Sequence, residues 1–130
     1  MVLILIFKYK IMDAKELRIG NLVYHNDEII EIQSLRPQDD DVNDEIPFHS
    51  IYGIKLTKEW LLKFGFEETK KNIFLLTAGI AVTIKNNKFF FITGNAVCEL
   101  VLAELKNVHE LQNLYYALQS DDLVFSDAVS

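Results

Sequence analysis

Clustered carboxylates are the feature of the sequence with the clearest chemical potential. Five of them lie within seven consecutive residues: Asp39, Asp40, Asp41, Asp44 and Glu45. Asp39, Asp41 and Asn43 fit positions one, three and five of an EF-hand calcium loop. The glycine and the glutamate that positions six and twelve require are replaced by Asp44 and Ser50, which excludes an EF-hand. A weak cation site, a solvated loop and an acidic patch that contacts a basic partner remain as alternatives.

No other group of residues predicts catalysis or a resident metal. His25, His49 and His109 lack the spacing of metal ligands, and no glycine-rich phosphate loop or serine nucleophile motif is present. The single cysteine, Cys98, lies in an apolar segment without a basic neighbour to activate it, which favours a packing role over a nucleophile. We therefore expect a protein that is not an enzyme and that has no cofactor and no metal site.

The charge is unevenly distributed along the chain. The net charge is −6, and the segment from Met12 to Leu56 alone holds four basic and ten acidic residues. Such a balance repels phosphate backbones, so it disfavours direct nucleic-acid binding. It favours a protein partner with a basic surface.

Aromatic residues offer two further candidate surfaces. Trp60 and Phe64 share a helix face; this pattern is typical of a core, and an interface anchor is the alternative. With the acidic cluster, they complete the predicted partner-binding set. Four lysines flank the segment Phe89–Phe91 and provide a basic, aromatic alternative for nucleic-acid binding. They are Lys70, Lys71, Lys85 and Lys88.

Length and composition predict one domain in a reducing compartment. Half of the 130 residues are apolar, and one cysteine cannot form an internal disulfide. The apolar run Val2–Phe7 is too short to cross a bilayer and has no signal-peptide pattern around it. It is either a strand or an extension upstream of a natural start at Met12. We expect a cytoplasmic protein that does not engage a membrane and is a monomer or a homodimer.

Local signals predict an α+β fold. Residues 12–56 are expected to be β-rich, with a hairpin of Leu22–Tyr24 and Glu28–Leu35, an irregular loop over residues 36–47 and extended chain from Phe48 to Leu56. Residues 57–125 are expected to form two helices around an antiparallel sheet of three to four strands. The helices span Thr57–Gly65 and Asn107–Leu118, and Asn107 and Glu110 form a capping-box pair at the start of the second. This helix has an apolar stripe at helical spacing, which consists of Val108, Leu111, Leu114, Tyr115 and Leu118. The strands span Ile73–Thr77, Ile80–Ile84 and Lys88–Thr93, with a two-residue turn at Asn86 and Asn87. Ala96–Leu102 is either a fourth strand or a segment that leads to the last helix, and Leu123–Phe125 is a short closing strand.

Three segments resemble a group of small phage and prophage proteins without an established activity. They are Ala14–Val23 (AKELRIGNLV), Leu56–Phe66 (LTKEWLLKFGF) and Val108–Leu118 (VHELQNLYYAL). The segment Gln119–Asp122 departs from the group, whose members usually carry a glycine there. The opening R-I-G-N-L-V and the strand after it also resemble the start of an SH3-like barrel.

The resemblance implies an accessory protein of a phage or mobile element. Such a protein is expected to bind a host protein in the bacterial cytosol, most concretely as an anti-CRISPR type inhibitor or modulator of a defence nuclease. A nucleic-acid-associated module built on an SH3-like barrel is one alternative. A structural phage component that self-associates through its N-terminal strand is the other.

Overall fold

The structure is a computed structural model that describes residues 14–77, 80–94 and 99–123. Within them the chain forms eleven β-strands and two α-helices, α1 (Lys58–Lys63) and α2 (Val108–Gln119), which confirms the α+β class. The residues fall into two compact units. The first unit takes the chain up to Lys55 and Asn107–Asp122, and the second takes Leu56–Lys106 with Leu123. The single domain stays a prediction.

Six short strands of the first unit form two antiparallel sheets. They are β1 (Leu22–His25), β2 (Glu28–Glu31), β3 (Leu35–Arg36), β4 (Asp41–Val42), β5 (Ile46–Pro47) and β6 (Ile51–Tyr52). One sheet has the order β2-β1-β6 and the other the order β3-β4-β5. In the part of the chain that the structure describes, neither sheet closes on itself, so the SH3-like barrel stays a prediction.

The predicted hairpin is confirmed by the pairing of β1 with β2. Asn26 and Asp27 connect the strands with φ values of 51° and 63°, the left-handed conformation that a two-residue hairpin turn requires. The second strand ends at Glu31 and not at the predicted Leu35. Beyond it, the backbone N–H groups of Gln33 and Ser34 donate to the Asn43 side chain and not to a neighbouring strand.

Residues 36–47 are not the irregular loop that the sequence predicts. Strands β3, β4 and β5 pair in this segment, and a 3-10 helix spans Pro37–Asp39. The prolines fit this structure because Pro37 opens the 3-10 helix, where its missing N–H is not needed. The buried Val42 anchors the segment in an apolar core that it shares with Val23 and Ile51. We call residues 35–47 the acidic ribbon.

Helix α2 begins at the predicted capping box. The Asn107 N–H donates to Glu110 Oε1 at 2.7 Å, and the helix ends where Ser120 adopts a left-handed φ of 55°. The predicted apolar stripe is only partly buried, since Leu118 is 48% exposed. The buried face instead includes the polar residues His109 and Gln112.

Polar side chains hold α2 against the start of β1. Asn21 is fully buried; its Oδ1 accepts the Arg18 N–H at 2.7 Å and its Nδ2 donates to Asn113 Oδ1 at 2.8 Å. The Arg18 guanidinium pairs with Asp122 at 2.9 Å and lies 3.7 Å from the centre of the Tyr116 ring. Arg18 therefore joins the loop before β1 to both the middle and the end of α2.

The amide of Gln112 completes this connection through the backbone. Its Oε1 accepts the Leu22 N–H at 2.9 Å, and its Nε2 donates to the Gly20 carbonyl at 3.1 Å. Two of the three segments that carry the phage resemblance, Ala14–Val23 and Val108–Leu118, thus meet through buried hydrogen bonds. In this structure the polar side chains of Asn21, Gln112 and Asn113 bond these two segments to each other.

Gly53→Ala is expected to lower the free energy of unfolding by about 1–3 kcal/mol, because a methyl group here has no room. A Cβ at residue 53 would lie 2.8 Å from Asn107 Cγ, so the side chain that caps α2 would have to move. Urea titrations measure the loss. The same change in an Asn107→Ala background should cost less, and an equal cost in both backgrounds would contradict the clash.

The second unit contains α1 and one antiparallel sheet of five strands. The strands are β7 (Glu67–Lys70), β8 (Ile73–Thr77), β9 (Ile80–Lys85), β10 (Lys88–Gly94) and β11 (Glu99–Leu105), in the order β11-β10-β9-β8-β7. Both predicted ends of α1 are confirmed: the Trp60 N–H donates to Thr57 Oγ1 at 3.3 Å, and Gly65 has a φ of 95°. The predicted turn at Asn86 and Asn87 is also confirmed.

The sheet has one strand more than the three to four that the sequence predicts. All four residues of β7 are exposed and none is apolar, so no hydrophobic alternation signals this edge strand. Strand β11 is described from Glu99 and continues beyond the predicted Leu102 to Leu105, and its predicted start at Ala96 lies outside the described residues. Predictions for Val2–Phe7, Cys98, Val124 and Phe125 lie outside the described residues.

Candidate partner-binding surface

The acidic ribbon is held by one arginine. Arg36 Nε and Nη2 donate to the two carboxylate oxygens of Asp41 at 2.9 and 2.7 Å, and Nη2 also donates to the Asp44 carbonyl at 2.6 Å. The hydrogen bond with Asp41 raises the pKa of Arg36 above its ordinary value, with further support from nearby carboxylates. Asp41 is only 15% exposed, and its charge is used within the ribbon.

Asn43 joins the ribbon to the end of β2. Its Oδ1 accepts the N–H groups of Gln33 and Ser34 at 2.7 and 3.2 Å, and its Nδ2 donates to the Glu31 carbonyl at 3.0 Å. All three bonds are to backbone groups, so the Asn43 side chain satisfies N–H and carbonyl groups that a neighbouring strand would otherwise bond. Asn43 is therefore a structural residue of the ribbon.

Four carboxylates of the ribbon point to solvent. They are Asp39, Asp40, Asp44 and Glu45. Asp39 is 52% exposed and lies 3.5 Å from Arg36, and Asp44 accepts a long 3.4 Å hydrogen bond from Ser34 Oγ. Asp39 ends the 3-10 helix and Asp40 follows it, whereas Asp44 and Glu45 lie in the turn between β4 and β5. These carboxylates therefore project from short ordered segments that adjoin the paired strands. The predicted partner-binding acids thus divide into four exposed groups and Asp41, which bonds internally.

Calcium is expected to leave the melting temperature of the protein unchanged. Two of the three residues at EF-hand ligand positions, Asp41 and Asn43, already bond within the ribbon, and the described residues contain no group of three or more potential metal ligands. Thermal melts in EDTA and in excess calcium measure this. A rise of several degrees in calcium would contradict it and assign ligand roles to Asp39, Asp41 and Asn43.

Trp60 and Phe64 contribute little accessible surface. They are 7% and 3% exposed, and their ring centres lie 5.8 Å apart within the second unit. Lys63 lies 5.1 Å from the centre of the Trp60 ring. Little of either residue is accessible to a partner in this arrangement. Their partner-binding role stays a prediction.

An exposed apolar pair on the hairpin was not predicted. Tyr24 and Ile29 are directly opposite each other in β1 and β2 and are 36% and 47% exposed, while Val23 and Ile30 form the inward pair. The order Glu28-Ile29-Ile30-Glu31 does not show which isoleucine points outward. The hairpin register decides which isoleucine is exposed, because a turn at Asn26 and Asp27 puts Ile29 opposite Tyr24.

Comparison with known proteins does not assign the chain to a family. No family model, curated protein or solved structure matches it. The resemblance to phage and prophage proteins therefore stays a prediction. Neither α1 nor α2 is long and apolar enough to cross a membrane, and this holds for every helix of the described residues.

Charge divides unequally between the two units. The described part of the first unit holds four basic and twelve acidic residues, whereas that of the second holds seven basic and five acidic residues. The acidic character of the chain therefore belongs to the first unit, which carries the ribbon. An interaction with a basic surface would be electrostatically favourable there.

Proposed function

We propose that this chain is a non-enzymatic accessory protein of a phage or mobile element that binds a host protein in the bacterial cytosol. The most concrete form is an anti-CRISPR type inhibitor or modulator of a defence nuclease. The resemblance at the two ends of the chain supports the origin. The four exposed carboxylates on a folded ribbon are the observation that carries the mode of binding.

The chemistry of a nuclease channel fits these carboxylates. Such a channel presents basic side chains to phosphates, and an array of carboxylates can pair with the same groups. Carboxylates on an ordered ribbon lose less conformational entropy on binding than the same groups on a flexible loop. Arg36 and Asn43, which order the ribbon, thereby support its affinity.

The apolar pair on the hairpin supplies a second element of an interface. Charged rims steer association, while affinity usually comes from a few buried apolar anchors, and tyrosine is enriched among them. Tyr24 and Ile29 are exposed in the same acidic unit. We include them in the proposed interface as its apolar contact.

Capture from a host lysate tests the proposal. The tagged full-length chain is incubated with nuclease-treated and untreated lysate, beside a variant in which Asp39, Asp40 and Asp44 are asparagine and Glu45 is glutamine. One dominant basic protein, retained after nuclease treatment and lost with the variant, is the expected result. Capture of nucleic acid alone would favour the SH3-like module, and recovery of the chain with only itself would favour the self-associating component.

A further inference from the structure

Five lysines converge at one end of the five-stranded sheet. They are Lys70, Lys71, Lys85, Lys88 and Lys106. The β7–β8 turn and the β9–β10 turn lie at the same end of the antiparallel sheet, because Ile73 at the start of β8 pairs with Thr83 near the end of β9. Strand β11 ends there too, since Leu105 pairs with Phe89. The topology therefore gathers charges that the sequence separates.

Hydrogen bonds connect the β7–β8 turn directly to the end of β9. The carbonyl of Asn72 accepts the Ile84 N–H at 2.9 Å and the Thr83 hydroxyl at 3.3 Å. Lys71 and Lys85 adjoin these bonded residues, and Lys85 is directly opposite Lys88 in the ladder. Strands lie about 4.8 Å apart, so a row of lysines across all five strands spans about 19 Å.

These lysines form a local basic surface in an acidic chain. Lys70, Lys71, Lys85 and Lys88 are exposed, and none forms an ion pair with the part of the chain that the structure describes. Two acids accompany them: Glu68, which accepts the Asn72 N–H at 2.8 Å, and Glu104. Salt screens exposed charges beyond about 8–10 Å, so a phosphate bound at this end of the sheet interacts chiefly with the lysines and with these two acids, and the lysines are in excess.

One aromatic ring borders the lysines on the same face of the sheet. Phe90 is two residues after Lys88 in β10, so both side chains point to one face, and Lys85 shares that face as the cross-strand partner of Lys88. Phe90 is half-buried, so part of this residue is accessible at the surface. Glu104 is its neighbour on β11. Lysines beside an accessible ring are the two components of a site for unpaired nucleotides.

We propose that this end of the sheet, the lysine edge, binds single-stranded nucleic acid without sequence preference. The lysines pair with phosphates, and a base stacks on Phe90. The net charge of the whole chain disfavours nucleic-acid binding, but the second unit taken alone is net basic. It uses none of the residues of the proposed protein interface, so each can fail while the other holds.

Fluorescence anisotropy of the full-length protein with labelled oligothymidine tests the proposal. Neutralising four phosphates gives a slope of log affinity against log salt of about −2.8, or about a 50-fold loss between 50 and 200 mM salt. Lys85→Gln with Lys88→Gln should reduce the slope to about −1.4. Phe90→Leu should weaken binding about tenfold with little change in slope, and Glu104→Gln should strengthen it.

The matched control removes two exposed lysines of α1, with Lys58→Gln and Lys63→Gln. It should retain at least half of the affinity, and thermal melts should show that all variants are folded. Three results would overturn the proposal. These are no binding at 50 mM salt, an equal loss from the control pair, and tighter binding of a duplex than of the single strand.

Discussion

Replacing Asn21 with alanine is expected to lower the free energy of unfolding by about 2–3 kcal/mol. The side chain is fully buried and has partners on both sides, the Arg18 N–H and Asn113 Oδ1. Alanine removes the acceptor of the Arg18 N–H and leaves Asn113 Oδ1 with only a long 3.4 Å hydrogen bond from Arg18 Nη1. Urea denaturation followed by circular dichroism measures the effect, which should appear as a lower midpoint at an unchanged slope.

An exposed amide provides the matched control for this prediction. Gln38→Ala removes a side-chain amide from the surface of the same unit and should change stability by less than about 0.5 kcal/mol. A double-mutant cycle of Asn21→Ala with Asn113→Ala should give a coupling energy of about 1 kcal/mol or more. A small loss at Asn21 without coupling would contradict a stabilising role of the Asn21–Asn113 bond and leave Gln112 as the main polar link between α2 and β1.

The predictable parts of the fold are those that local chemistry determines. Thr57 and Gly65 delimit α1 because a hydroxyl cap and a residue that tolerates positive φ act within one turn of the helix. Asn107 and Glu110 mark the start of α2 for the same reason. Asn86 and Asn87 specify a hairpin because both accept the left-handed conformation. These signals need no knowledge of distant residues.

The parts that sequence could not predict depend on distant partners or carry no periodic pattern. The Asn21–Asn113 bond joins residues 92 positions apart, and polar residues in a helix otherwise indicate a solvated face. Strand β7 has four exposed residues and hence no alternation. The sequence predicts Lys70, Lys71, Lys85 and Lys88 as a basic candidate, but only the order of the five strands shows that they lie at one end of the sheet, with Lys106 beside them.

The acidic ribbon illustrates both reasons why prediction from sequence fails, which are dependence on distant partners and lack of a periodic pattern. Its carboxylates were evident from composition, but their roles were not. Asp41 bonds to Arg36 within the ribbon, and its role in partner binding stays a prediction, while Asn43 bonds to the backbone at and after the end of β2. Prolines and clustered acids suggested an irregular loop, whereas buried Val42 anchors paired strands. The exposed carboxylates thus lie on a folded segment of short strands that the sequence pattern does not predict.

Neutralising the exposed carboxylates of the ribbon is expected to slow association with a basic protein partner about tenfold at low salt. The variant changes Asp39, Asp40 and Asp44 to asparagine and Glu45 to glutamine, and it keeps Asp41 for Arg36. Asparagine suits Asp40 and Asp44, whose φ values are 54° and 71°. Folding should therefore be preserved, while long-range attraction falls and the dependence of the association rate on salt flattens.

Stopped-flow or surface-binding kinetics at two ionic strengths measure this effect once the partner has been captured. The matched control removes four exposed acids outside the ribbon and changes the net charge by the same amount. It carries amides at Glu59, Glu67, Glu68 and Asp121. Because steering depends on where charge lies at the interface, the control should keep most of the parent rate. Equal rates for parent and ribbon variant would make the ribbon a solvated connector and direct attention to Tyr24, Ile29, Trp60 and Phe64.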